Sequence, residues 1–472
     1  MTGVATGAAS GVVDLLAAVL PAERIRIDRP TLAAHRHDRS GWAPDGLPSA
    51  VVFPESTEEV AAILRAADAA RTPVVTRGAG TGLSGAATAT DGEIVLSTAR
   101  LDRVLELSPD DELAVVEPGV ISADLDRAAA EHGLCYAPDP GSVEICTIGG
   151  TIATNAGGLR CAKYGVTRES VLGLDVVLAD GRRIQTGRRT VKGVTGYDLT
   201  SLFIGSEGTL GVVVGATLRL LPRPASTSTI AAFFDDVEGA AQAVARIRAQ
   251  RIRPAVAELL DGATLAAIDA AEATEATEAT GFAARGGALL IVQTDGAGAA
   301  AEADAALSAI RPGSTDVAVT DDPAEAAELL RARRLALPAL EKLGRVLIED
   351  IAVPRSRLAE AVRAVSAIAD RHGVRVATLA HAADGNLHPI FVLDDAPANA
   401  PVPEPAWTAA AEVFRTALRL GGTLTGEHGV GLLKRHWVAE EVGDVSLAVH
   451  YQIKQALDPH GILNPGKALG MP

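Results

Sequence analysis

The sequence predicts an α+β chain of two or more domains, and three observations carry that reading. Its 472 residues exceed what one hydrophobic core organises. Short apolar runs closed by glycine and proline fill the first half, whereas strands alternate with alanine-rich amphipathic stretches in the second. Three glycine-rich runs lie upstream of a histidine and glutamate cluster near the carboxyl end, so the ligand cradle and the reactive groups occupy different halves.

Residues 1–47 read as an N-terminal helical extension and loop. Val51-Val52-Phe53 is strand-like and stops at Pro54; Ser56 with Glu59 is a capping-box pattern that opens a helix from Val60 to Ala70. Pro73 to Thr76 is a short buried strand that delivers the chain into the first glycine run. Asp91-Gly92 marks a turn, and strands follow at Glu93–Ser97, Leu113–Glu117, Leu172–Leu178, Leu210–Val214 and Thr217–Leu221. Pro222 and Pro224 close this region, which places a domain over 48–224. Residues 225–404 alternate strands (Ser226–Phe234, Ala288–Gln293) with helices (Gly239–Gln250, Ala299–Ile310, Pro323–Leu337), an α+β layer with helices on one face. The triplets that begin at Glu272, Glu275 and Glu278 are too short a repeat for a solenoid; they fit a helix extension or a surface loop. Residues 405–472 read as a mostly helical C-terminal segment around Glu427-His428.

A formal net charge of −16 repels phosphate backbones, so nucleic acid is not an expected partner, and an anionic substrate needs local positive charge. Cys135, Cys146 and Cys161 fit no metal or disulfide spacing, and three thiols cannot hold a four-cysteine iron–sulfur cluster. No basic leader precedes an apolar run, and the uncharged stretch Ile145–Leu159 carries four glycines. The expectation is a cytoplasmic protein that does not span a membrane.

In the first glycine run, Arg77, Gly78, Ala79, Gly80, Thr81, Gly82, Ser84 and Gly85 let successive backbone N–H groups converge on an anion such as a pyrophosphate. A dinucleotide fingerprint also has spaced glycines after a strand, but there they open a helix. Here Ala-Ala-Thr-Ala-Thr-Asp-Gly follows, a poor helix ending in a hairpin-type turn, and the next strand starts too early for a crossover helix. A plain glycine-rich loop is the other alternative, countered by a second run. That run joins Pro140, Gly141 and Ser142 to Thr147, Gly150, Thr154, Asn155, Gly157 and Gly158. Its small residues let a flat ligand lie on the backbone, while threonine hydroxyls and an amide supply hydrogen bonds. Glu207, Gly208, Gly211 and Val212 lie in a third close-approach segment.

These three segments, with Lys163-Tyr164-Gly165 and Leu174-Asp175-Val176-Val177-Leu178, resemble the FAD-binding domain of the vanillyl-alcohol oxidase/p-cresol methylhydroxylase flavoproteins. The C-terminal half resembles that family's D-2-hydroxyacid dehydrogenase branch, which includes glycolate oxidase, D-lactate dehydrogenase (cytochrome) and D-2-hydroxyglutarate dehydrogenase types. The likeness spans about residues 48–470. It implies a two-subdomain FAD-binding domain, an α+β (ferredoxin-like) substrate domain and a C-terminal segment returning to the flavin, with Asn464 in a stretch that approaches it. A helix-stopping turn explains Asn464-Pro465-Gly466 equally well. No histidine lies between His37 and His132, so the resemblance implies non-covalent FAD.

His381 ends an apolar strand, Asp384-Gly385-Asn386 makes a turn, and His388 begins the return strand, so both rings can face one side of a hairpin mouth. Glu427 would complete a two-histidine, one-carboxylate set for Zn²⁺, with Fe²⁺ or Mn²⁺ as alternatives; a hairpin with satisfied imidazoles is the bland alternative. The resemblance supports His381, His388 and Glu427 as metal ligands, His428 as base and Arg333 as the grip on a substrate carboxylate. Arginines on a helix are otherwise mostly solvated. Leu337 and Ile348 stand where hydroxyglutarate-type members carry polar groups, which favours D-lactate or glycolate over a dicarboxylate.

The implied reaction is oxidation to the 2-oxo acid, with hydride passing to flavin N5. The acceptor would be a quinone, a cytochrome or a partner redox protein, and through such a partner the cytoplasmic chain would lie peripheral to the inner membrane; the resemblance admits an iron–sulfur partner subunit and a homodimer. Three rivals stand beside it. An alkyl-glycerone-phosphate synthase would carry a histidine tract that is missing beside Glu427-His428, an NAD-linked dehydrogenase would need the absent crossover helix, and a metal protein without flavin would be colourless.

Overall fold

The computed structural model describes residues 5–40, 46–273, 281–393 and 401–469. The Glu275 and Glu278 triplets lie outside them. The chain divides into two compact units. The first joins residues 1–157, 166–223 and 427–472, and the second joins 158–165 to 224–426.

The first unit contains a four-stranded sheet of β1 (Ile25–Arg26), β2 (Ala50–Val52), β3 (Val74–Arg77) and β4 (Ile94–Ser97), in the order β1-β2-β4-β3. A parallel connection needs a crossover. Between β2 and β3 that crossover is the helix Thr57–Ala70, capped by Ser56, which accepts the Glu59 N–H at 3.2 Å. Its Val60, Ile63, Leu64 and Ala67 lie on one buried face, as 3.6-residue periodicity requires.

β3 and β4 also pair in parallel, yet no helix joins them. The glycine run itself is the crossover, so Asp91-Gly92 precedes a parallel strand rather than closing a hairpin. A crossover without a helix must find other partners for its backbone donors, as the Ala89 N–H does at the Arg36 carbonyl, 2.8 Å away.

A five-stranded antiparallel sheet follows, ordered β5-β6-β10-β8-β9. Its strands are β5 (Val104–Ser108), β6 (Leu113–Val116), β8 (Val171–Val177), β9 (Arg183–Gly187) and β10 (Val212–Arg219), while β7 (Leu134–Cys135) and β11 (Leu221–Pro222) pair separately. The two strands expected over Leu210–Leu221 are thus largely one, continuous through Gly215 by an irregularity in register. The C-terminal tail returns to this unit, with Leu463 bridging Val74 and Ile462 and Leu463 in the core of the four-stranded sheet.

The second unit is α+β. β12 (Thr227–Phe234), β13 (Val256–Asp261), β14 (Ala288–Asp295) and β15 (Ser314–Thr320) are antiparallel neighbours in the order β15-β12-β14-β13, the ferredoxin-like arrangement. β16 (Arg345–Ile348), β17 (Ile351–Ala352) and the hairpin of β18 (Arg375–His381) and β19 (Asn386–Leu393) extend this sheet, with β18 joined to β13.

Helices cover both faces, not one. β12, β14 and β19 are buried at nearly every position, and such continuous apolar runs mark strands covered on both sides. One face packs Phe233, Leu260, Ile291, Leu379 and Ile390 against the helices Gly262–Ala273 and Arg331–Leu343. The single helix expected over Pro323–Leu337 is two, Pro323–Leu329 and Arg331–Leu343. Pro338 sits inside the second, where it removes one backbone bond without ending the helix.

Candidate active site

In the first unit the glycine runs converge. A Cβ on Gly80 would meet the Arg77 guanidinium at 2.0 Å, and Gly80 has φ +74°, which L side chains rarely adopt. A Cβ on Gly78 would meet Thr147 Oγ at 2.3 Å, so the first run lies directly against the second. Arg77 donates Nη1 to the His37 carbonyl at 2.9 Å and so braces the loop from below.

Thr147 caps the helix Ile148–Thr154 by accepting the Gly150 N–H at 3.3 Å, and Thr154 Oγ returns to the Gly150 carbonyl at 3.3 Å. Asn155 (φ 51°) ends the helix and accepts the Arg168 N–H at 3.0 Å. Much of the side-chain hydrogen bonding expected to reach a ligand is therefore spent on the loop itself. Pro140 and Ser142 use their carbonyls to close the turn up to Cys146.

Glu207 is fully buried, and its carboxylate accepts the Val430 N–H at 2.8 Å and the Gly431 N–H at 2.7 Å. Burial pushes its carboxyl up to about 7, against the lowering pull of those two donors. Gly211 faces Val176 at 2.5 Å and Phe203 at 3.1 Å from an ideal Cβ, and Val212 lies in the core. Packing explains both of these positions. Asn464 donates Nδ2 to the Glu207 carbonyl at 2.6 Å and to the Ala86 carbonyl at 3.0 Å, which stitches the first and third runs together. It does more than stop a helix.

Thr76 Oγ, Ser84 Oγ, Thr88 Oγ and Asn464 Oδ1 are buried without a hydrogen-bond partner among the described residues. Native interiors rarely leave such atoms unsatisfied. Orphan hydroxyls beside a glycine cradle fit a polar, extended ligand of the FAD kind.

Glu427 and His428 belong to the same unit, with His428 Nε2 at 3.7 Å from Glu427 Oε1. A Cβ on Gly157 would strike Glu427 Oε2 at 2.3 Å, so the second glycine run makes room for this carboxylate. Gly429 (φ +83°) turns the chain into the segment that Glu207 holds.

In the second unit His381 stands opposite Asn386 and His388 opposite Leu379, which sets the histidines diagonally on one face of the hairpin. Their ring centroids are 5.2 Å apart at 85°. Gly385 (φ +90°) makes the tight turn, and both imidazoles are buried. His381 Nδ1 lies 2.6 Å from Glu258 Oε1, and Arg333 donates Nε to Glu258 Oε2 at 2.6 Å. Burial opposes the Glu258 anion, but its contacts with His381 and the Arg333 guanidinium outweigh it and hold the carboxyl below its usual range.

His388 Nδ1 lies 3.8 Å from Asp350 Oδ1. Asp350 accepts Asn386 Nδ2 at 2.6 Å and Thr425 Oγ at 2.6 Å. His381 thus has a carboxylate hydrogen-bonded on its Nδ1 side, the arrangement that leaves Nε2 for a metal, whereas at His388 the carboxylate stands 3.8 Å off. Sequence reading missed Glu258 and Asp350. Their only signal is an acid inside a strand-like apolar run.

Of the neighbouring arginines, Arg331 pairs with Glu272 and Glu328, and Arg334 reaches the Ala327 carbonyl at the surface. Lys163 donates to the Asp295 carbonyl at 3.0 Å and Tyr164 to its carboxylate at 2.5 Å, which anchors residues 158–165 in this unit. Cys135, Cys146 and Cys161 form no disulfide. No helix among the described residues is long and apolar enough to cross a membrane.

Residues 48–187 match the family model for the FAD binding domain, and residues 223–468 match that for FAD linked oxidases, C-terminal domain. The chain is 42% identical over 425 residues to the glycolate oxidase subunit GlcD of Bacillus subtilis (strain 168), covering 89% of each chain. It is 37% identical over 425 residues to a D-lactate dehydrogenase of Archaeoglobus fulgidus, covering 89% of this chain and 91% of that one. The solved structure of 4-ethylphenol oxidase from Gulosibacter chungangensis superposes with a TM-score of 0.79 at 21% identity, over 100% of this chain and 99% of that chain, which shows a shared fold. Cradle, hairpin and relatives agree: the chain is an FAD-linked oxidoreductase and belongs to the D-2-hydroxyacid dehydrogenase branch of the vanillyl-alcohol oxidase/p-cresol methylhydroxylase flavoproteins.

Proposed function

We propose that this protein oxidises a small D-2-hydroxy acid, D-lactate or glycolate, to the 2-oxo acid, using non-covalent FAD and a divalent cation, Zn²⁺ before Fe²⁺ or Mn²⁺. The observation that carries this reading is the imidazole pair at the hairpin mouth, 5.2 Å between centroids, with a carboxylate behind each ring. Glu427 is the proposed third ligand. Gly426 packs on Asn386 and Asp350, where a Cβ would meet them at 2.1 and 3.1 Å, and Glu427 is the next residue along the chain.

A cation held by His381, His388 and Glu427 would supply Lewis acidity that lowers the pKa of a chelated hydroxyl, and FAD held by the glycine runs would supply the hydride-accepting chemistry. The residues of the chain supply the rest. His428 takes the hydroxyl proton. Arg333 spends Nε on Glu258, so its Nη1/Nη2 edge is the one suited to a carboxylate in a two-pronged contact. Leu337 and Ile348, both packed on the apolar core of this unit, offer nothing to a second carboxylate. The names of the two curated relatives support the same substrate class. For the acceptor we propose a quinone, a cytochrome or a partner redox protein.

Anaerobic bleaching of the yellow protein by a panel of hydroxy acids tests this reading. D-Lactate and glycolate should bleach it and L-lactate should not. Bleaching as fast with D-2-hydroxyglutarate would overturn the assignment of chain length, and a colourless protein would overturn the whole reading.

A further inference from the structure

We infer that Glu258 is a positioning residue that ties the carboxylate-gripping guanidinium of Arg333 to the metal-ligating imidazole of His381, so that the anion and cation sites are set by one side chain. The inference rests on the ligand and anion-binding roles proposed above. Glu258 lies at the centre of β13, where its cross-strand partner is His381, and its exposure is 0%. Glu258 and Leu260 share a face of β13, as His381 and Leu379 do on β18, because side chains alternate along a strand. Leu260 and Leu379 pack beneath the helix Arg331–Leu343, which brings Arg333 to the same carboxylate.

Each oxygen has a different partner. Oε1 takes His381 Nδ1–H, which fixes the tautomer with a lone pair on Nε2. Oε2 takes Arg333 Nε–H and leaves the other guanidinium edge for a ligand. A buried acid with one partner would stabilise the fold alone, whereas a buried acid with two orients both. It also places a negative charge between a guanidinium and a divalent cation that would otherwise repel.

Glu258→Gln is the incisive variant, since an amide has one accepting and one donating end. Turned one way it forces His381 Nδ1 to accept and puts the proton on Nε2, which cannot then ligate. Turned the other way it sets N–H against Arg333 Nε–H. One site must fail. The expected result, with flavin content unchanged, is a loss of about 10–100-fold in Zn²⁺ affinity or a comparable rise in KM for D-lactate.

A second variant, Arg333→Met, covers the case in which Glu258→Gln does not fold. Removing the guanidinium leaves the full Glu258 charge to His381, so Zn²⁺ should bind at least about threefold tighter while KM rises. Zn²⁺ affinity and KM both within twofold of wild type in Glu258→Gln, or unmoved Zn²⁺ affinity in Arg333→Met, overturns the inference. A wild-type protein that binds no divalent metal overturns instead the ligand set from which it starts.

Discussion

Glu207 shows how one buried acid governs its surroundings. It accepts the Val430 and Gly431 N–H groups, two and three residues past His428, and is buried. Its carboxyl sits at about 7 in the folded protein against an ordinary 4.5. Between those values the unfolded chain has released its proton and the folded chain has not, so stability falls as pH rises through this window. Thermal melts of flavin-free protein from pH 4.5 to 7 should show that decline, and Glu207→Gln should flatten it. A variant that keeps the wild-type slope would show that another group titrates there.

Single residues were unevenly legible in the sequence. His381 and His388 announced themselves because a turn separates them, and a turn makes strand neighbours of residues close in sequence. Glu258 did not, since 123 residues separate it from His381 and strand pairing alone joins them. Asp350 was hidden in the same way.

At the scale of elements, apolar runs and turn residues locate β2, β3, β4, β6, β8, β12 and β14 and the helices Thr57–Ala70, Val237–Ala249 and Ala299–Ile310 to within a few residues, because burial patterns are local, but they leave β13, β15 and the helices Gly262–Ala273 and Leu358–His372 unread. Pairing is not local. Nothing in Glu93–Ser97 says that β4 lies parallel between β2 and β3, or that a loop without a helix makes the second crossover. That geometry predicts a sharp contrast between glycines. Gly80→Ala must displace the Arg77 guanidinium and adopt a left-handed backbone, so it should abolish flavin binding. Gly133→Ala, at φ +71° with nothing within 4 Å, should cost only about 1–2 kcal/mol and keep the flavin. Comparing flavin absorbance per protein in the two variants checks this. Equal retention would mean that the loop is not the cradle.

At the scale of the whole molecule, the units are discontinuous in sequence. Residues 158–165 leave the first unit for the second, and residues 427–472 return to the first after Gly426. Local pattern does not announce such exchanges, because hydrophobic periodicity reports burial and not the core that provides it. The crossing at Gly426-Glu427 has a functional sense. It is the peptide link from the unit holding both histidines to the unit holding the glycine cradle, and the proposed third ligand and base follow it at once.

The reaction proposed for this molecule needs flavin and metal together. The direct test is anaerobic bleaching by D-lactate before and after chelation, with flavin content held constant. Bleaching should vanish on removal of the metal and return when Zn²⁺ or Mn²⁺ is restored. Undiminished bleaching by protein shown to be free of divalent metal would contradict the account.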